Sequence, residues 1–204
     1  CTRREWLATP GAAGLSIASA EPPAKPMRGA FIILSTPYTA SGAVDYEDLA
    51  GEVDFLVRCG VQGLVWPQLA SEYALLSKDE RMRGMEVLAR AARGKAPALV
   101  LGVQADHTEA MLEYARHAET LSPDAVIAIP PQKARSLDDY RQYFRALCRT
   151  TKRPVFIQTS GGAPGLEPTV ELIVELGREF SNFGYVKEEH EPVLERMKAL
   201  ARHR

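Results

Sequence analysis

The sequence has little of several features that define particular classes of protein. Its 204 residues include three cysteines, which are too few and too scattered for a disulfide framework or a thiolate zinc site. It has no apolar run near the ~18 residues of a membrane-spanning helix, so no membrane span is predicted. Basic and acidic residues nearly cancel to a net charge of −1, which leaves no positive excess for a nucleic-acid backbone. The composition therefore predicts a globular chain with neither a membrane nor nucleic acid as its partner.

The first 28 residues differ from the remainder in composition. An Arg3-Arg4 pair precedes a stretch of small residues that ends in Ala18-Ser19-Ala20, and a proline-rich linker follows. Paired arginines, a weakly apolar core and an A-x-A exit resemble a twin-arginine signal, so residues 1–28 are predicted to be a signal peptide and linker. The protein would then be exported to the periplasm or beyond the cell. The alternative is a disordered tail with a chance arginine pair and a cytoplasmic protein.

Residues 29–204 repeat one pattern, an apolar run of strand length followed by a segment with helical periodicity. Apolar strands that alternate with helices predict a buried parallel sheet with right-handed crossovers. Six predicted strands start near residues 30, 63, 98, 125, 154 and 183, and the predicted helices span 45–59, 77–92, 107–121, 136–150, 168–180 and 192–201. Both a doubly wound sheet and a βα barrel fit this pattern. A complete eight-unit barrel usually needs ~250 residues, which is more than this chain has.

Lys187 is the residue with the clearest potential for chemistry. It ends the sixth predicted strand, and ligands bind at the carboxyl ends of parallel strands in either architecture. A lysine there can form a Schiff base, which requires the neutral amine, and desolvation inside a barrel would favour that form. The alternative is a lysine that pairs with Glu188 or Glu189 at the rim. The histidines and carboxylates do not suggest a metal site, so no metal is predicted.

Several segments together carry a resemblance to one family. They are Thr36-Pro37-Tyr38, Gly63-Leu64-Val65, Leu76-Ser77-Lys78-Asp79-Glu80-Arg81, Arg153-Pro154-Val155 and Asn182-Phe183-Gly184-Tyr185-Val186-Lys187-Glu188. Roughly residues 28–190 thereby resemble the dihydrodipicolinate synthase and N-acetylneuraminate lyase family of class I, Schiff-base aldolases. The resemblance implies a TIM-type (βα) barrel with about six of its eight units in this chain. The sequence is therefore expected to be a fragment, with its start upstream because it does not begin with methionine.

The resemblance also implies a role for Lys187 and exposes departures from the family. In this resemblance, Lys187 corresponds to the lysine that forms an imine with a 2-oxo acid such as pyruvate, and no cofactor is implied. The family's threonine loop, which holds the substrate carboxylate, falls on residues 68–72, and its relay tyrosine falls on Gln158, which does not titrate near neutral pH. Tyr185 lies two residues before Lys187 and so on the same strand face, which makes it a candidate replacement for the relay.

The resemblance, together with these departures, implies a carbon–carbon lyase of the aldolase type rather than the family's biosynthetic synthase. The alternative is a degenerate barrel that binds an oxo acid or sugar acid without turnover. Lys187 and Tyr185 are the predicted catalytic residues, with the amine distant from carboxylates. Substrate binding is predicted for residues that follow strand ends, namely Thr36, Ser71, Gln132 and Gln158. The predicted partner is a small 2-oxo acid, a homo-oligomer is expected, and the first 28 residues should make no packed contacts with the core.

Overall fold

A computed structural model describes residues 25–203, and in it strands and helices alternate throughout. The strands are β1 (Phe31–Ile33), β2 (Gly63–Trp66), β3 (Ala98–Gly102), β4 (Ala125–Ala128), β5 (Val155–Gln158) and β6 (Phe183–Lys187). The α-helices are α1 (Tyr46–Arg58), α2 (Lys78–Ala91), α3 (Thr108–Leu121), α4 (Leu137–Thr150), α5 (Val170–Glu179) and α6 (Val193–Ala201). A short 3-10 helix, Leu69–Ser71, follows β2. The predicted six βα units are confirmed.

The six strands form one parallel sheet in the order β1-β2-β3-β4-β5-β6. Each strand lies beside the next strand in the sequence, as in a TIM barrel, whereas a doubly wound sheet reverses its strand order near the middle. The architecture is a partial (βα) barrel, as the resemblance implied. Within the described residues, β1 and β6 each have one strand neighbour, so both outer edges of the sheet are unpaired.

The sheet buries side chains on both of its faces, which explains the continuous apolar runs. The larger core lies between the strands and the helices and contains Leu64, Trp66, Leu101 and Ile157. Val65, Val100, Ala125 and Ile127 form a smaller group on the opposite, concave face, against which Phe31, Ile33 and Phe156 pack. We call this group the inner cluster. It marks the side of the sheet that faces the interior of the barrel.

Local side-chain hydrogen bonds fix where several helices begin. Ser77 and Glu80 cap α2 reciprocally, and Ser136 and Asp139 cap α4 in the same way. Such caps satisfy amide groups that have no partner inside the helix. Thr169 caps α5, where its hydroxyl accepts a hydrogen bond from the amide of Leu172.

The amino-terminal end of the described segment contacts the barrel. The Lys25 amine lies 3.1 Å from the Asp124 carboxylate and 2.9 Å from the carbonyl oxygen of Pro97, and Met27 packs against the inner cluster. The prediction of no packed contacts before residue 29 is therefore wrong for these two residues. Of the predicted signal peptide and linker, residues 1–28, residues 1–24 lie outside the described residues. No helix from residue 25 to residue 203 is long and apolar enough to cross a bilayer.

Candidate active site

Lys187 lies at the carboxyl end of the sheet and on its concave side. It is the last residue of β6 and pairs with Gln158, the last residue of β5. Two residues earlier, the Tyr185 ring stacks on Phe156 with centroids 4.4 Å apart, and Phe156 packs on the inner cluster. Because residues i and i+2 share a strand face, Lys187 and Gln158 point to the same concave side. The structure thus brings Lys187, Gln158 and Tyr185 together as predicted.

The surroundings of the Lys187 amine differ from the prediction. Its Nζ lies 2.6 Å from Glu189 Oε1, and its side chain keeps 34% of its surface exposed. The expectation of an amine distant from carboxylates is therefore wrong. The reason is the path of the chain after β6, which turns so that the second residue beyond the lysine comes back over the strand end.

Glu189 is held by more than its pairing with Lys187. Its second oxygen, Oε2, accepts a hydrogen bond from the Gln158 amide at 2.7 Å and another from the Ser160 hydroxyl. Partial burial raises the pKa of Glu189, but the hydrogen bonds from Lys187 and Ser160 and the lysine charge outweigh it, so the pKa lies below its ordinary value. Glu189 is therefore a carboxylate at neutral pH, fixed between the ends of β5 and β6.

The buried side chain of Glu188 fixes the conformation of the loop after β6. The Thr159 hydroxyl donates to Glu188 Oε1 at 2.7 Å, and the amide of His190 donates to the same oxygen at 3.0 Å. On the other side, Arg196 Nε from α6 lies 3.0 Å from Glu188 Oε2, and the Glu188 side chain is 2% exposed. Glu188 is thus a structural anchor, which leaves Glu189 as the carboxylate at the lysine.

Thr36 and Ser71 lie together, but their hydroxyl groups are already used. The Thr36 hydroxyl donates to the Ser71 carbonyl oxygen at 2.6 Å and accepts from the Trp66 indole at 3.1 Å. The Ser71 hydroxyl donates to the Leu34 carbonyl oxygen at 2.6 Å and accepts from the amide of Gln68 at 3.1 Å. Both residues are buried. Their hydroxyls join β1 to the loop after β2, so in this structure both hydroxyl protons are donated to the protein itself.

The 3-10 helix after β2 offers backbone donors instead. Gln68 occupies the position before it, and within the described part of the chain the amides of Leu69 and Ala70 donate to no protein acceptor. Beneath them, the Gln68 side-chain amide donates to the Gln104 side chain at 2.9 Å. The first amides of a helical turn have no partner inside it and can donate to an anion. Backbone groups thus remain where the family's threonine side chains are missing.

Gln132 is the predicted site residue that follows β4. It is exposed in the turn that follows β4. The nearest polar feature along the chain is the pair of Lys133 with Asp106 on the loop after β3, at 3.1 Å. No group of three His, Cys, Asp or Glu side chains with the geometry of a metal site occurs among residues 25–203.

Pairing of Lys187 with Glu188 or Glu189 is the alternative that the sequence leaves open, and the structure shows it for Glu189. The sequence assigned no function to Glu189 or Ser160. The signal was the spacing of Glu189, two residues past a strand-end lysine, together with Ser160, two residues past Gln158 on the neighbouring strand. Side chains at matching positions beyond paired strands come close in space.

A groove of about 450 Å³ lies elsewhere, at the free edge of β6. Residues of α5, β6 and α6 line it, including Phe183, Tyr185, Met197 and Leu200, and Lys187 is not among its lining residues. The groove is a consequence of the unpaired edge, because apolar side chains at an open edge have no further strand to pack against.

Comparison with known proteins gives a consistent result. A model of the dihydrodipicolinate synthetase family matches residues 26–203. The 4-hydroxy-tetrahydrodipicolinate synthase of Phocaeicola vulgatus is 28% identical over 163 residues, which cover 79% of this chain and 54% of the relative. The chain thus spans about half the length of the curated relatives that it matches.

Two solved structures have a similar fold at lower identity. YagE, a prophage protein of the dihydrodipicolinic acid synthase family from E. coli K12 in complex with pyruvate, has a TM-score of 0.77 and 21% identity, with 85% of this chain and 58% of that chain covered. CdNal from Clostridium difficile in complex with mannosamine has a TM-score of 0.80 and 20% identity, with 88% and 63% covered. At these identities the likeness concerns the fold.

Proposed function

This chain belongs to the dihydrodipicolinate synthetase family, and from that premise we propose that it is an aldolase-type lyase that acts on a 2-oxo acid through an imine on Lys187. The observation that carries the proposal is the position of this lysine. It ends β6 on the concave side of a partial barrel, and active sites of this fold lie at the carboxyl ends of the strands.

The chemistry requires a primary amine that can reach a bound carbonyl carbon. Condensation of the Lys187 amine with the oxo group gives a protonated imine, which is an electron sink. It stabilises the carbanion formed when a carbon–carbon bond breaks, or the enamine that attacks an aldehyde in the reverse direction. A lysine that keeps a third of its surface exposed is accessible to such a substrate.

A 2-oxo acid also needs a partner for its carboxylate. The free amides of Leu69 and Ala70, at the start of the 3-10 helix after β2, are the donors that suit this role. They follow β2, and Lys187 ends β6, so both groups belong to the same end of the barrel. Binding through backbone amides would explain how the chain dispenses with the threonine side chains of the family's loop.

Borohydride trapping tests the proposal directly. The protein, expressed from its complete reading frame, is incubated with pyruvate and reduced, and the modified residue is located by mass spectrometry. The expected result is one reduced pyruvyl adduct on Lys187, which Lys187→Ala abolishes and Lys198→Ala, an exposed lysine on α6, retains. Failure of pyruvate and of a panel of other 2-oxo acids to trap on the wild-type protein would overturn the proposal.

One observation favours a second function, binding of an oxo acid or sugar acid without turnover. The hydroxyls of Thr36 and Ser71 are committed to the protein itself, and the resting amine of Lys187 is paired with a carboxylate. Calorimetry separates the two functions, because a binding protein would bind pyruvate reversibly and give no adduct with borohydride.

A further inference from the structure

We infer that Glu189 is the acid–base residue of imine formation at Lys187. The family's relay tyrosine falls on Gln158 in this chain, and the Gln158 amide cannot transfer protons near neutral pH. The inference rests on the proposed function, because it assigns a role within that reaction. It concerns a residue that touches the reacting atom, since Glu189 Oε1 lies 2.6 Å from Lys187 Nζ.

The two oxygens of Glu189 have different partners, and this orients the carboxylate. Oε2 accepts from the Gln158 amide at 2.7 Å and from Ser160, so Oε1 is the oxygen that faces the lysine. Gln158 is 1% exposed and therefore holds a fixed position. A general base needs hydrogen-bond contact with the proton that it removes, and this arrangement supplies it in the resting state.

The other titratable groups nearby have partners of their own. Glu188 binds Thr159 and Arg196, and the His190 ring lies between the Thr159 carbonyl oxygen and Glu167. Tyr185, one layer deeper on β6, stacks on Phe156. Among the described residues, Glu189 is the carboxylate that contacts the Lys187 amine.

The proton movements balance with Glu189 as the only shuttle. Transfer of one proton from the Nζ ammonium to Oε1 gives a neutral amine and a carboxylic acid. The amine's lone pair forms a bond to the oxo carbon and the C=O electron pair moves to oxygen. The Glu189 acid gives its proton to that oxygen, and the carboxylate then takes one proton from the nitrogen, which gives a neutral carbinolamine and the acid again. The acid then protonates the carbinolamine hydroxyl, the C–O bond breaks with loss of water, and the protonated imine and the carboxylate remain.

The Glu189→Gln variant removes the titrating group and keeps the size and the hydrogen-bonding capacity of the side chain. The expected result is that pyruvate trapping on Lys187 slows by about 100-fold, the lower end of typical acid–base contributions. The profile of trapping rate against pH should also change, because the part of it that follows ionisation of the Glu189 carboxylate disappears.

The Glu189→Asp variant, which keeps a carboxylate, should recover part of the rate. Glu191→Gln, two residues along the same loop, is the matched control and should behave as the wild type.

Two measurements show whether the variant is intact, namely calorimetry of pyruvate binding and unfolding in urea. They are needed because loss of binding or of folding would explain slow trapping without acid–base catalysis. Trapping by an intact Glu189→Gln protein at a rate within about threefold of the wild type, with the wild-type pH profile, would overturn the inference. This outcome differs from failure of the proposed function, in which the wild-type protein itself forms no adduct.

Discussion

The hydroxyl of Thr36 and the carbonyl oxygen of Ser71 are joined by a buried hydrogen bond of 2.6 Å. The bond ties the loop after β1 to the 3-10 helix after β2, and the Trp66 indole completes it by donating to the same hydroxyl. A hydroxyl that already donates its one proton inside the protein has no donor left for the carboxylate of a ligand. Thr36 therefore shapes the mouth of the barrel by fixing two loops.

Replacement of Thr36 by Val tests this structural role. Valine has nearly the same shape but leaves the Trp66 indole and the Ser71 carbonyl without a partner. The expected result is a free energy of unfolding lower by about 1–3 kcal/mol, measured in urea. Thr120→Val, at an exposed position on α3, is the control and should change stability by less than about 0.5 kcal/mol. A large rise in KM at unchanged stability would instead return Thr36 to substrate binding.

The fold could be predicted because its signals are local. Apolar runs, helical spacing and capping residues such as Ser77 and Ser136 act within one element. The strand order followed from the resemblance, since periodicity fits two architectures. The sequence left two environments open for Lys187, a desolvated amine or an amine paired with Glu188 or Glu189. It could not decide between them, because the answer depends on a loop anchored by a hydrogen bond between Thr159 and Glu188, which lie 29 residues apart. A long-range contact of this kind leaves no periodic pattern in the sequence.

The direction of the Ser71 hydroxyl was unpredictable for a related reason. The sequence shows that a hydroxyl follows β2, but its partner is a backbone carbonyl of the neighbouring β1 loop, 37 residues away. A polar side chain at a strand end serves either the ligand or the protein itself, and three-dimensional packing decides between them.

The contact of α2 with β2 predicts a strong effect at Gly84. A Cβ there would overlap the buried Trp66 ring, which is held in place by the core around it. Gly84→Ala should therefore lower stability by about 1–3 kcal/mol, the usual cost of overpacking. The matched control is Gly51→Ala on α1, where a Cβ meets nothing within 4 Å. This control should raise stability by up to about 1 kcal/mol, since alanine favours helix. Equal effects in urea unfolding would contradict the packing argument.

Arg81 is a buried cation that no carboxylate accompanies in the described structure. Its guanidinium donates to the carbonyl oxygens of Gln104 and Gly102 at 3.0 and 3.2 Å and lies 3.8 Å from the centre of the Tyr114 ring. Burial lowers the pKa of Arg81 from its ordinary value. The planar guanidinium can donate to two carbonyl oxygens and stack on the aromatic ring at the same time, whereas the compact ammonium of a lysine cannot reproduce this arrangement.

Arg81→Lys should therefore lower the free energy of unfolding by about 1–3 kcal/mol, because a buried donor pair and the ring contact are lost together. Arg83→Lys is the matched control, since Arg83 is exposed and lies over the Tyr46 ring, where the same change should cost less than about 1 kcal/mol. Chemical denaturation of both variants checks the difference.

Two capping carboxylates predict how stability depends on pH. Hydrogen bonds from the Ser77 backbone and hydroxyl lower the pKa of Glu80, and the backbone amide of Arg135 with Ser136 lowers that of Asp139. A lowered folded-state pKa gives stability that is present above the unfolded values of about 4.3 and 3.9 and is lost as the pH falls through the folded values. The melting temperature of the wild type should fall from about pH 5 downward, and that of Glu80→Gln/Asp139→Asn should fall less steeply. Parallel curves would refute this account.

Tyr185 offers the last test, because its ring and its hydroxyl can be separated. The ring stacks on Phe156 at an angle of 16°, and within the described residues the hydroxyl forms no hydrogen bond with the protein. Tyr185→Phe keeps the stack, so urea unfolding should change by less than about 0.5 kcal/mol, whereas Tyr185→Ala should cost about 3 kcal/mol or less at this partly exposed site. Because Glu189 already contacts the Lys187 amine, kcat of Tyr185→Phe should fall by no more than about threefold. A fall of about 100-fold, the scale of acid–base catalysis, with unchanged unfolding, would instead assign the proton relay to the Tyr185 phenol.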